Sequence, residues 1–376
     1  VFLVRELTAK TLDYIQSFGE RLSCFTISGC LNDLGVNNEY VDSRTVVKTD
    51  DQFGKARVQF EKTEQKIREK MSGDVPVYVV TGFIGSTDLD ETTTLGRGGS
   101  DFSASIFGAA LGAEEIEIWT DVDGVMTADP TKVTDAFSIA EMTYEEAMEL
   151  SHFGARVIHP PTMQPALDRN LPIRILNAFN PDFKGTVIRD QSVPNTYIIK
   201  GISSIDSVAL LQIRGSGMIG STGIAERIFH ALARNKINII LISQASSEHS
   251  ICLAILPEAS EKAVKALREE LKYEIHYDLV NEIAVEPEMA IIAVVGENMR
   301  HRKGIAGKVF QTLGQNGINI SAIAQGSSEL NISMVIARSD ETKALNALHR
   351  AFFAAYKKTV HVFLVGTGLV GKEFLK

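Results

Sequence analysis

GIAERIFHALARNKINIILISQASSEHSICLAI, residues 223–255, returns 81 positions later as GIAGKVFQTLGQNGINISAIAQGSSELNISMVI, residues 304–336. Sixteen of the 33 aligned positions are identical, among them Gly223, Phe229, Asn235, Asn238, Gln244 and Ile255. Identity that dense at one fixed offset marks an internal duplication. Within the first copy, residues 208–213 form an apolar run of strand length. Ile224, Ile228, Phe229 and Leu232 then fall on one face of a helix. A strand led by Asn238 and Ile239, a returning strand over 250–256 and a second helix over 258–271 complete the copy. This order predicts a βαββαβ, ferredoxin-like unit, repeated over residues 289–353.

Upstream, residues 1–200 have a different texture, with strands, helices and glycine loops alternating as in an α/β layered fold. Residues 77–80 read as a buried strand, residues 102–111 as a helix and residues 116–119 as a further strand. Pro181, Gly185 and Pro194 mark the exit. Downstream, HVFLV (361–365) leads into Gly366, Gly368 and Gly371 of a GxGxxG turn and the start of a helix, the opening of a Rossmann unit. The chain opens without Met or a signal-peptide pattern and closes just past that turn, so both ends are expected to be cut.

Of the 376 residues, 44% are hydrophobic and 23% charged, the balance of an ordinary globular protein. No apolar run approaches the roughly 18 residues that span a bilayer, so no membrane partner is expected. A net charge of −9 without a basic block disfavours nucleic acid. An anionic substrate would need a local cationic pocket. Cys24, Cys30 and Cys252 show no paired or metal-type spacing, so reduced thiols and no metal site are expected.

TTLGRGGSD (93–101) concentrates the chemistry. Gly96, Gly98 and Gly99 let backbone N–H groups turn inward, Ser100 and Asp101 are good helix caps, and the helix that follows points its positive end at the loop. Arg97 adds a planar fork suited to a carboxylate. A glycine turn that merely caps a helix is the plain alternative, and the arginine inside the loop weighs against it. In TDVDGVMTADP (120–130), Asp121 and Asp123 are turn formers or members of a ribose or metal–nucleotide site, and spacing alone does not separate the two. Gln244 and Gln325, with Asn238 and Asn319, occupy matching places in the copies. Such duplicated amides either read the ends of a zwitterion or bond local backbone.

Taken in order, GERLS (19–23), TGFIG (81–85), TTLGRGGSD, TDVDGV (120–125) and FGARVIHP (153–160) resemble the aspartokinases over residues 1–190. GERLS with TTLGRGGSD is highly specific within the amino-acid kinase superfamily. The repeat resembles the tandem ACT domains of the same enzymes, and the tail resembles the start of homoserine dehydrogenase. Together they resemble the bifunctional aspartokinase–homoserine dehydrogenases. The resemblance implies a layered α/β amino-acid-kinase domain over 1–200 with its N-terminal part missing. ACT domains over 201–285 and 286–357 follow, then a truncated NAD(P)-binding Rossmann start over 358–376.

It also implies the function: transfer of the γ-phosphoryl of MgATP to the side-chain carboxylate of L-aspartate, with feedback by threonine, and NADP or NAD as cofactor of the reductase part. Glu20 would meet the substrate ammonium, Arg97 its α-carboxylate, and Phe83 and Ser100 would shape the pocket. Asp101 would be the catalytic aspartate that organises the phosphate-binding groups. Thr120, Asp121 and Arg156 would contact the nucleotide, and Gln244, Gln325, Asn238 and Asn319 the effector. A homo-oligomer built through the ACT domains is implied, in the cytoplasm or, for a plant source, the plastid. Met126 and Thr131 depart from the Tyr and Arg of many members. The family's lysine–glycine phosphate loop is expected upstream of Val1, so the chain by itself is expected to be inactive. A monofunctional lysine-sensitive aspartokinase and a non-catalytic amino-acid-binding fragment are the alternative readings.

Overall fold

The structure, a computed structural model, describes residues 7–155, 158–191, 197–218, 223–244 and 250–354. Arg156 and the glycines Gly366, Gly368 and Gly371 lie outside them. The first lobe runs α1 (Ala9–Asp33), β1 (Asn38–Val41), α2 (Phe60–Lys70), β2 (Val77–Val80), β3 (Ile84–Ser86), β4 (Thr92–Thr94), α3 (Gly99–Leu111), β5 (Ile116–Thr120), β6 (Glu141–Thr143), α4 (Tyr144–His152), α5 (Gln164–Asp168), β7 (Ile173–Asn177) and β8 (Thr186–Arg189). Strands β1 and β2 pair in parallel, β3 and β4 form a hairpin, and β5, β7, β8 and β6 form a mixed sheet in that order. The strand expected to be buried, β2, is half-buried along its whole length.

One expectation about a helix end is corrected. Ser100 and Asp101 do not cap α3. The cap is Gly98 in the left-handed region (φ 68°), with no side-chain hydrogen bond, and Asp101 sits inside the first turn. A loop that must turn this tightly selects glycine at the cap position. Helix α1 inverts the usual amphipathic rule: it buries Asp13, Ser17, Cys24 and Ser28, while Tyr14, Ile15, Phe18, Leu22 and Phe25 are exposed.

The second half contains β9 (Gly201–Arg214), α6 (Ile224–Arg234), β10 (Ile239–Gln244), β11 (Ser250–Ile255), α7 (Ser260–Glu270), α8 (Lys272–His276), β12 (Glu282–Val295), α9 (Ile305–Gln315), β13 (Ala322–Ala324), β14 (Asn331–Ala337) and α10 (Glu341–Phe353). All six strands form one antiparallel sheet in the order β10-β11-β9-β12-β14-β13. The two 14-residue strands at its centre belong to both units. Glu282 to Glu286 of β12 pair with Arg214 to Leu210 of β9 and complete the first unit. Gly201 to Ile205 of β9 pair with Val295 to Ile291 of β12 and complete the second. The register shifts between these halves, at Pro287 and Glu288, where φ is +56° and a proline is tolerated. The second unit therefore takes its fourth strand from ahead of the first unit, which is contiguous, and a boundary between 285 and 286 falls inside β12.

Alternation along the central strands serves two cores. Ala209, Leu211 and Ile213 pack towards α6 and α7, and Ala290, Ile292 and Val294 towards α9 and α10. The opposite residues, Val208, Leu210, Met289, Ile291, Ala293 and Val295, share a core with Tyr144, Ala147 and Leu150 of α4. The six-stranded sheet is thus buried on both faces, one of them against the first lobe. It also curls: the Ser243 hydroxyl on β10 donates to the Ile323 carbonyl on β13 at 2.8 Å, joining its two outermost strands.

Candidate active site and effector site

The TGFIG loop is held between α1 and the start of α3. Glu20 Oε1 accepts the Gly82 N–H at 2.6 Å. A Cβ on Gly82 would lie 3.1 Å from that oxygen and 3.3 Å from Ser100 Oγ, so the carboxylate and the hydroxyl close on the same glycine from two helices. Phe83 sits in the left-handed region (φ 47°). Its N–H donates to Ser103 Oγ and its carbonyl accepts the Leu95 N–H, both at 2.9 Å. Gly99 packs so tightly beneath it that a Cβ there would meet Phe83 Cβ at 2.6 Å.

Arg97 is exposed between Gly96 (φ 79°) and Gly98 (φ 68°). Gly98 rests on His159 and Thr162, where a Cβ would come within 2.9 and 3.1 Å. Burial, and then the Arg97 charge, hold the His159 imidazole below its ordinary pKa. Burial raises the Asp101 carboxyl above the usual carboxylate range. Glu20, Phe83, Arg97, Ser100 and Asp101, read from three separate motifs, are thus brought together around the start of α3, where no capping side chain bonds the first N–H groups and the helix presents its positive end.

Thr120 and Asp121 close β5, the strand that follows α3. Thr120 Oγ1 donates to Asp121 Oδ1 at 3.1 Å, and Asp121 is exposed. Asp123 ties its loop to the end of β7 and beyond, its Oδ1 accepting the side-chain amides of Asn177 (2.9 Å) and Asn180 (3.1 Å). Among the described residues neither Thr120 nor Asp121 hydrogen-bonds to the group around α3.

Two buried charges were not singled out from sequence. The Asp13 carboxylate, 1% exposed, accepts the N–H groups of Gly54 (2.8 Å) and Thr94 (3.0 Å) and the Thr94 hydroxyl (2.8 Å), fixing the strand that feeds the glycine loop. With Leu12, Gln16, Gly54, Phe83, Thr94 and Gly96 it lines a cleft of about 570 Å³. Lys48 donates to Ser86 Oγ and Asp90 Oδ1, both at 2.8 Å, and holds the tip of the β3–β4 hairpin. Asp13 lies on the polar face of a helix whose apolar pattern points the other way, so periodicity gave no signal for it.

In the six-stranded sheet, Gln244 ends β10 and Gln325 follows β13, both exposed and on the two strands that the Ser243–Ile323 bond brings side by side. Asn238 and Asn319 are exposed in the turns that precede those strands.

Comparison with known proteins agrees with this anatomy. The amino acid kinase family model matches residues 3–177, and the ACT domain model matches residues 211–271 and 292–352. The chain is 38% identical over 389 aligned residues to a chloroplastic bifunctional aspartokinase/homoserine dehydrogenase of Arabidopsis thaliana, covering 100% of this chain and 42% of the relative. The chain therefore spans less than half the length of such curated relatives. The solved aspartate kinase of Clostridium acetobutylicum is similar at a TM-score of 0.81 and 31% identity, over 90% of this chain and 75% of that one. Aspartokinase III of E. coli is similar in two states, with aspartate and ADP (TM-score 0.76) and with lysine and aspartate (0.73). Each is 29% identical over 93% of this chain and 77% of that one. With a kinase-family lobe, paired ACT units and this likeness along nearly its whole length, the chain belongs to the aspartokinases of the amino acid kinase family.

Proposed function

We propose that the protein to which this chain belongs transfers the γ-phosphoryl of MgATP to the side-chain carboxylate of L-aspartate. The observation that carries the reading is the convergence of Glu20 and Ser100 on Gly82, with Arg97 exposed on the adjoining loop. An amino acid has an ammonium and a carboxylate to be read at once, and Glu20 and Arg97 supply the two complementary charges. Phe83 and Ser100 shape the space between them. Asp101, inside the first turn of α3, organises the phosphate-binding groups, while Thr120, Asp121 and Arg156 serve the nucleotide. Phosphoryl transfer asks mainly for positioning and charge neutralisation, which such a constellation provides.

The paired units then bind an amino-acid effector, with Gln244, Gln325, Asn238 and Asn319 as its contacts and threonine as the ligand. The curated relative's fusion to homoserine dehydrogenase supports threonine and an NADP- or NAD-dependent second activity in the whole protein. Lysine is the competing effector, favoured by the lysine complex of the E. coli neighbour. The location is the cytoplasm, or the plastid, as the Arabidopsis relative's name has it. Among the described residues no helix is long and apolar enough to cross a membrane.

The test is Arg97→Ala in the full-length enzyme. Leaving a substrate carboxylate without its bidentate partner costs roughly 3–5 kcal/mol, or about two to three orders of magnitude in kcat/KM for aspartate. The KM for ATP should change far less. Normal aspartate kinetics in this variant would remove Arg97 from the substrate site.

A further inference from the structure

The two regulatory units match residue by residue, and at one place the match breaks. Residues 279–281 lie against Gly215 as residues 198–200 lie against Gly296. A Cβ on Gly215 would meet the Leu279 carbonyl oxygen at 2.0 Å, and one on Gly296 would meet Ile199 Cα at 2.8 Å. The backbone bonds correspond too: Asn281 N–H donates to Arg214 O (2.8 Å), and Lys200 N–H to Val295 O (2.7 Å). In each unit a short 3-10 turn follows the glycine, Ser216–Met218 in the first and Glu297–Met299 in the second.

In the first unit the N–H of Ser216 is accepted within the unit by Asn281 Oδ1, at 3.3 Å. In the second, the residue matching Asn281 is Lys200, which has no acceptor to offer. The N–H of Glu297 instead leaves the unit and donates to Glu146 Oε1 on α4 at 2.8 Å. Lys200 follows it: its ammonium lies 3.8 Å from Glu146 Oε2 and donates to the Glu141 carbonyl at 2.8 Å. Both side chains are buried, at 1% and 0% exposure. The other Glu146 oxygen closes the capping box of α4, accepting the Thr143 N–H at 3.0 Å while Thr143 Oγ1 accepts the Glu146 N–H at 3.2 Å.

Burying two charges is costly, and the first unit shows that a neutral asparagine closes the same turn. Burial holds the Glu146 carboxyl above its ordinary pKa despite Lys200. The charged arrangement therefore does something other than close the turn: it ties the cap of a kinase-lobe helix to the regulatory sheet. Helix α4 leads on to Gly154, packed on Ser204 of β9, and the chain then reaches His159 beneath Gly98.

We propose that Glu146 is a positioning residue through which the second regulatory unit, by way of Glu297 and Lys200, sets α4 and with it the support of the glycine loop. The proposal rests on the reading that the paired units bind an amino-acid effector. Its test uses the full-length enzyme and the double variant Glu146→Gln/Lys200→Asn, which gives the second unit the self-contained closure of the first. Glu297→Pro, paired with Glu297→Gln as the control for the lost carboxylate, is the independent variant: it removes the N–H at the first position of a turn that accepts proline.

Threonine and lysine are each titrated by calorimetry and by kinase activity. Effector binding should match the parent in the double variant and in Glu297→Pro, while the half-inhibiting concentration rises by about ten-fold, as expected for losing a hydrogen bond to a charged group. Parent-like inhibition in either of these two, or binding lost in step with inhibition, overturns the proposal and leaves the effector reading intact. A parent that neither amino acid binds or inhibits overturns the effector reading itself, and this proposal with it.

Discussion

The two ACT units have one topology and differ in what they touch. The second unit is docked on the kinase lobe: His349 bonds Thr127 (2.9 Å), Glu341 pairs with Lys132 (2.7 Å), and Asn346 donates to the Lys132 carbonyl (2.8 Å). Asn331 bonds Glu149, and Glu297 bonds Glu146. At the matching positions the first unit has Arg268, Ser260, Lys265, Ser250 and Ser216, so none of the five docking residues is shared. Identity is retained where both copies meet the same surroundings, in the helix face, the turn asparagines and the glutamines, and lost where one copy acquired a neighbour. The difference shows that the duplication left two matched edges on a sheet whose apolar face meets the lobe from both units, while these five polar ties come from the second.

The largest expected effect tests that attachment. Leu267 and Leu348 are matched, both 0% exposed, in α7 and α10. Truncation of either to alanine should cost about 2–5 kcal/mol by removing a core side chain and leaving a cavity. Hydrogen exchange should show the kinase lobe loosening with Leu348→Ala and not with Leu267→Ala. Equal loosening would mean that the lobe senses the whole sheet rather than the docked unit.

Next in size is the equivalence of the sensing edges. Gln244→Ala and Gln325→Ala should each shift threonine inhibition of the full-length enzyme by ten-fold or more, since a hydrogen bond to a charged ligand is worth about 1.5–3 kcal/mol. Uninhibited kinase activity should stay near that of the parent. The shifts should be unequal, because the repeats differ at Glu226 against Gly307 and at His249 against Leu330. Parent-like threonine affinity by calorimetry in both variants would return the glutamines to the status of loop amides.

The smallest effect separates the helix anchors. Arg227 reaches Glu270 at 3.1 Å and also bonds Glu274, while the matched Lys308 lies 4.5 Å over the Phe352 ring. Arg227→Met strands the nearly buried Glu274 and should cost about 1–3 kcal/mol. Lys308→Met should cost about 0.5–1 kcal/mol. Denaturant unfolding of the two variants compares them directly, and equal losses would mean that the anchors are interchangeable.

The duplication, the helical face of Ile224, Ile228 and Leu232 and the glycine loop around Arg97 were legible because each is written in consecutive residues. The displaced fourth strand of the second unit was not. Residues 201–205 look like any strand entering a domain, and nothing local says that their partners are residues 291–295. The buried face of helix α1 was hidden for a different reason: its apolar stripe is exposed, while the structure buries Asp13 and Cys24 instead. Cys24 lies buried on the inner side of that helix, and burial, then Glu20, push its thiol up to about 11. Glu146 was readable as half of a capping box, but its second bond, to Glu297, joins residues 151 positions apart.

The shared strands also impose an order in time. The half of β9 from Gly201 to Ile205 finds its partners only at Ile291 to Val295, beyond the whole of the first unit. On a ribosome adding about 5–20 residues per second, those five residues wait roughly 5 to 20 seconds for their neighbours to emerge. During that interval the first unit also lacks the early half of β12, so neither unit closes before the chain has passed residue 282. The first unit is thus complete once residue 286 has emerged, and the second only after α10, at residue 353. Through that window the apolar strand Val208 to Ile213 stands at an open edge, where a second nascent chain can reach it.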